Sequence, residues 1–121
     1  MNKVLCSILS ALAAIASAPS AEAQAGRSAS VEAGKKTALL VCASCHVVAS
    51  DQEFQPMLNQ PAPTFADIAN RPDISASSLH RFLTTTHWDQ NTLPMSMPSM
   101  MLSNEQVADT TSYILSLRKR P

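Results

Sequence analysis

Cys42-Ala43-Ser44-Cys45-His46 is the stretch on which the reading of this 121-residue chain turns. It stands where an apolar run, Ala38-Leu39-Leu40-Val41, gives way to a polar, proline-rich segment. Ser30 is a suitable N-cap and Glu32 falls in the first turn, so the spacing predicts a helix over 31–43 that delivers the motif. Two thiols three residues apart then share one side of a helical turn, with an imidazole directly after them. The whole chain holds three cysteines, an odd number that a closed disulfide set cannot use.

Four chemistries compete for this spacing. A disulfide between Cys42 and Cys45 closes a very small loop and gains little stability. A thioredoxin-like redox pair opens a helix in a βαβ setting, and no strand alternation appears in the chain. Zinc needs four ligands, and only His80 and His87 remain as further good donors. Covalent haem attachment uses the whole pattern, because both thiols can add to vinyl groups on one porphyrin edge while the next imidazole reaches the iron. One haem c is therefore the expected cofactor, with Cys42 and Cys45 as its covalent anchors and His46 as the proximal axial ligand.

On the N-terminal side, Lys3 precedes an apolar run over 4–18, followed by Pro19-Ser20-Ala21-Glu22-Ala23. A basic start, a short apolar stretch and an Ala-x-Ala end predict a secretory signal peptide over 1–23. The run is short for a bilayer span, which takes about 20 apolar residues. An uncleaved N-terminal anchor is the competing reading. Cleavage after Ala23 removes Cys6 and leaves two cysteines, both spent on the haem. It also places the protein in the periplasm with no membrane span. Residues 24–30 are small and polar and are expected to form a flexible segment, with the haem domain over 31–121. The large apolar residues that remain make a thin core, which a bound cofactor would complete.

Composition narrows the function classes. Nine Lys plus Arg balance nine Asp plus Glu, which removes the electrostatic case for nucleic acid or anionic lipid as the main partner. Two glycines are too few for Gly-rich phosphate loops or hairpin-rich β architecture.

On the C-terminal side, 47–63 reads as loop, with Pro56, Pro61 and Pro63. Thr64 and Asp67 form a capping-box pair for a short helix over 65–69. Ser75 or Ser77 opens a third helix to about Thr85, with Leu79, Phe82 and Leu83 on one face. After an irregular stretch, Ser103 and Gln106 form a second capping-box pair, with Leu102 and Val107 at the hydrophobic-staple positions. Val107, Thr110 or Thr111, Ile114 and Leu117 continue an inward stripe, and Arg118, Lys119 and Arg120 complement the helix end. The fold class is all-α, with long loops and no repeat.

The sixth iron ligand is expected from Leu93-Pro94-Met95-Ser96-Met97-Pro98-Ser99-Met100-Met101, which offers four thioethers. Met is commonly flexible core filler, but four in seven residues between prolines call for another account. Met97 is the preferred distal ligand because Pro98 stiffens the loop just after it; Met95 is the fallback, then Met100 and Met101. A thioether opposite His raises the reduction potential relative to a second His. His87 is the rival ligand, with a surface or hydrogen-bonding role as its simpler reading. His80 lies on the exposed side of the third helix. Trp88 either donates its indole N–H to a propionate or packs in the core. Arg71 and Arg81 are candidates for propionate pairing, although most arginines are merely solvated.

From Gly34 to Leu117 the chain resembles a class I c-type cytochrome. The resemblance is carried by Gly34, Cys42-Ala43-Ser44-Cys45-His46, Pro63 and Phe65, Met97-Pro98, Leu102-Ser103 with Glu105-Gln106-Val107-Ala108-Asp109, and Tyr113-Ile114-Leu115-Ser116-Leu117. It implies a small cytochrome c-like fold of three to four helices wrapped around one covalent haem. It also implies that the first and last helices cross closely at Gly34, with Tyr113 packed over it. The Pro63 carbonyl would accept the Nδ1–H of His46 and orient the ring. Thr64, the segment 84–88 and the four methionines depart from the generic pattern. The function this implies is carriage of single electrons between redox partner proteins, not catalysis. A haem subunit of a dehydrogenase or oxidase complex, and a haem-based sensor with an open iron position, are the alternatives.

Overall fold

The computed structural model of the protein describes residues 21–58, 62–85, 97 and 99–119. Its helices are α1 (Ala21–Val41), α2 (Phe65–Ala69), α3 (Ala76–Thr84) and α4 (Asn104–Ser116). Among the described residues no strand forms, and His46 makes an isolated parallel bridge with Ala62. The all-α expectation holds. The first twenty residues of the expected leader, and His87, Trp88 and Met95, lie outside the described residues.

The first helix departs from the sequence expectation at both ends. The chain is helical from the first described residue, Ala21, so the segment 24–30, expected to be flexible, is helical. Ala21, Ala23, Ala25 and Ala29 are the strongest helix formers available. Ser30 does not cap. It sits inside α1 and its hydroxyl donates to Asp109 Oδ1 at 2.5 Å, linking α1 to α4. At the other end α1 stops at Val41, and the amides of Cys42 and Ala43 share the Ala38 carbonyl at 2.8 and 3.1 Å. That tightened turn carries the chain out of the helix and into the motif.

The shorter helices obey their caps. Ser75 and Ser103 each accept from the backbone of the third helical residue, and Ser78 and Gln106 reach back to complete both capping boxes. The Thr64 cap is half formed: its hydroxyl accepts from Asp67 N at 3.0 Å but donates to the Asp67 carboxylate. The short acid binds the hydroxyl instead of the cap amide. Ser103→Ala is expected to cost about 1 kcal/mol, read as a lower urea midpoint at unchanged slope.

α4 packs against all three other helices, most extensively against α1. Gly34 is buried at that crossing, against the backbone of Asp109 and the side chain of Tyr113, as the resemblance implied. The apolar core gathers Ala38, Cys42, Val48, Phe65, Ala69, Leu79, Tyr113 and Ile114. On α3, Leu79 is buried and Leu83 half-buried, whereas Phe82 stays 44% exposed. Arg118, expected only to complement the end of α4, does more: its guanidinium donates to the Ala69 and Ile74 carbonyls, and Lys119 N donates to Asn70 Oδ1. The chain beyond α4 thereby clamps the connection between α2 and α3.

Candidate functional site

The motif occupies a turn closed by its own backbone. Cys45 N and His46 N both donate to the Cys42 carbonyl, at 3.1 and 2.9 Å. The next segment is held from outside: Met57 N donates to Ser44 O, Ala62 N to Cys45 O and Phe65 N to Val47 O. Gln52 organises the loop between them, accepting from Val48 N at 2.7 Å and Ala49 N at 3.3 Å and donating to Phe54 O. The sequence marked Gln52 only as a loop residue. Tyr113 reaches from α4 to donate its hydroxyl to Val48 O at 2.8 Å, and that buried bond fixes the segment after the motif against the terminal helix.

Both thiols are free, Cys42 buried and Cys45 half-buried. Burial pushes the Cys42 thiol up from an ordinary 9.0 to about 11, with the neighbouring Cys45 adding to the shift. Desolvation disfavours the thiolate. On the surface nearby, the Lys35 ammonium meets the Asp51 carboxylate at 2.9 Å. Their hydrogen bond raises the Lys35 pKa and lowers that of Asp51. The pair is exposed, so it fixes the register of the loop on α1 more than it stabilises the fold.

His46 Nδ1 lies 2.7 Å from the Pro63 carbonyl oxygen. A carbonyl only accepts, so Nδ1 carries the proton and Nε2 is left with the lone pair. The Phe65 ring packs against the imidazole with centroids 5.5 Å apart. One hydrogen bond and one ring contact therefore set the tautomer and the tilt of His46.

The remaining candidates divide. Met97 and Met100 are half-buried, while Met101 is 92% exposed, at a positive φ of 51°. Burial thus separates the methionines that face the protein from one that faces water. Arg71 takes a different partner from the propionate considered above: its guanidinium donates to both Asp73 carboxylate oxygens, at 3.2 and 3.0 Å. Asp73 lies only two residues on. His80 and Arg81 are exposed on α3. Tyr113 was expected to pack on Gly34, but its bond to Val48 had no sequence signal, because the acceptor is a backbone carbonyl far along the chain.

Two thiols on one turn, followed by an imidazole with its proton held at Nδ1, fit a haem bound through thioether bonds. All-α architecture and this donor set define a class I c-type cytochrome. The chain belongs to the cytochrome c family, whose profile matches residues 31–118. Cytochrome c-552 of Bradyrhizobium diazoefficiens is 42% identical over 77 residues. The match covers 64% of this chain, and the chain spans 64% of that relative's length. No solved structure matched the chain. The family binds haem c covalently through a Cys-x-x-Cys pair, so haem c is the cofactor, and the pair is present as Cys42 and Cys45.

Proposed function

We propose that this protein is a periplasmic monohaem cytochrome that carries single electrons between redox partner proteins. Cys42 and Cys45 are its thioether anchors, His46 its proximal ligand and Met97 its distal ligand. The observation that carries this reading is the 2.7 Å contact between His46 Nδ1 and the Pro63 carbonyl, which leaves Nε2 as a metal donor beside two free thiols. When bound, haem c supplies a one-electron iron couple.

The chain's residues account for the rest. Pro63 holds the His46 proton and makes the imidazole a stronger donor. Phe65 limits rotation of the ring, so the ligand needs little rearrangement between oxidation states. Met97 supplies a soft thioether, which favours a higher potential than a second imidazole. Periplasmic location is supported by the signal-peptide pattern over 1–23. No helix among the described residues is long and apolar enough to cross a membrane.

Pyridine-haemochrome and visible spectra of the exported wild type and of Met97→Ala test the reading. The wild type is expected to show one covalent haem and a weak long-wavelength sulfur-to-iron band. Met97→Ala is expected to retain the covalent haem, lose that band and bind carbon monoxide readily when reduced. A wild type without covalent haem would end the proposal. Retention of the band in Met97→Ala would move the distal ligand to another methionine.

A further inference from the structure

α4 carries two buried hydroxyls that find no hydrogen-bond partner among the described residues. Thr110 is 0% and Thr111 6% exposed, and neither Oγ1 meets a donor or acceptor among the described residues. A buried polar group left unpaired is destabilising. Two such groups on adjacent residues, at positions where an inward stripe calls for apolar side chains, need an account.

Their place on the helix supplies one. Successive residues of an α-helix are turned by about 100°. Asp109 and Tyr113 lie on the side of α4 that meets Gly34 of α1. Val107, Thr110, Thr111 and Ile114 share a neighbouring face, its centre turned about 130° from that side, and all four are buried. Ile114, one turn beyond the threonines, belongs to the same core cluster as Cys42 and Phe65, and Phe65 lies against the His46 ring. The hydroxyls therefore stand on the face of α4 that closes the interior behind the haem motif.

We infer that Thr110 and Thr111 set the reduction potential of the protein, their hydroxyl oxygens turning toward the interior and favouring the ferric state. The inference rests on the reading of Cys42, Cys45 and His46 as the haem site. A hydroxyl already bonded to a neighbour is locked, whereas an unpartnered one rotates to suit the local field. In a low-dielectric interior such a dipole acts over a longer range than in water. Ferric haem carries one more positive charge than ferrous haem, so the oxygen end of each dipole stabilises the oxidised form. The threonines hold the potential below the value that an all-aliphatic stripe would give.

The test compares the exported holoprotein with Thr110→Val/Thr111→Val and with Thr110→Ser/Thr111→Ser. Removing both hydroxyls is expected to shift the reduction equilibrium about tenfold toward the ferrous form, about 59 mV upward for a one-electron couple. The serine pair keeps both hydroxyls and is expected to stay near the wild type. Denaturant midpoints of the two oxidation states give a second readout, because the valine pair should stabilise the ferrous form more than the ferric. A valine pair with covalent haem and an unchanged potential would overturn the inference, as would a serine pair that shifts as far as the valine pair. Equal stabilisation of both oxidation states would also overturn it. The single valine variants are measured alongside and are expected to shift the equilibrium roughly threefold each, so a poorly accumulating double variant leaves the test intact. Absence of covalent haem from the wild type is a separate outcome, visible in the haemochrome spectrum, and overturns the site reading and this inference together.

Discussion

Gly34→Ala is expected to destabilise the protein by on the order of 3 kcal/mol, the upper part of the range for overpacking a close-packed contact. A Cβ at this position would stand 2.0 Å from the Asp109 carbonyl oxygen, 2.5 Å from its carbon and 2.8 Å from Tyr113 Cβ. Two of those atoms are backbone in the middle of α4 and cannot swing aside as the end of a long side chain would. The helices must separate instead. Separation strains the Ser30–Asp109 bond on one side of the crossing and the Tyr113–Val48 bond on the other, so the damage reaches the segment that follows the haem motif. Gly26, which has nothing within 4 Å of its Cβ position, is the internal control. Gly26→Ala is expected to be neutral or slightly stabilising, because alanine is the better helix former. Denaturant unfolding of the two variants side by side checks both statements. Equal stability of Gly34→Ala and the wild type would show that α1 and α4 do not cross as closely as described.

That crossing also marks how far the sequence could be read. Residues whose chemistry is local were legible: Ser103 and Gln106 satisfy each other's amides within one turn, and the cysteines and His46 form one contiguous motif. Pro63 and Gly34 could be placed only through resemblance, because each acts on a partner far away in sequence. Residues 24–30 were misread because small polar side chains suit an exposed helix as well as a loop. Only the Ser30 contact with Asp109, formed in the folded state, distinguishes the two. Arg118 was legible as a charge at a helix end but not as a clamp, since its acceptors are the backbone carbonyls of Ala69 and Ile74. The methionine cluster gave a choice of ligands that spacing alone could not rank, whereas folding leaves Met101 in water and draws Met97 and Met100 inward.

Phe65→Ala is expected to cost about 3–5 kcal/mol, the usual range for truncating a buried phenylalanine. It is also expected to disturb the iron site more than Gly34→Ala does. Phe65 is 4% exposed and touches two aromatic neighbours, His46 at a centroid distance of 5.5 Å and Tyr113 at 6.3 Å. It therefore joins the His46 imidazole to the terminal helix. Its own amide donates to Val47 O at 3.0 Å and survives truncation, so the start of α2 stays in register while the space beside the imidazole opens. With the Pro63 bond left as its main restraint, His46 gains freedom to tilt. If His46 ligates the haem iron as proposed, the visible absorption bands of the variant should broaden relative to the wild type. Phe65→Leu refills most of the volume and should recover most of the stability, but it lacks the ring that lies against the imidazole. The pair of variants separates packing from orientation: if Phe65→Leu restores both the denaturation midpoint and the wild-type spectrum, the aromatic contact has no orienting role. Recovery of stability without recovery of the spectrum would assign Phe65 to the geometry of His46, a role that no residue of the Cys42–His46 motif can fill from within its own turn.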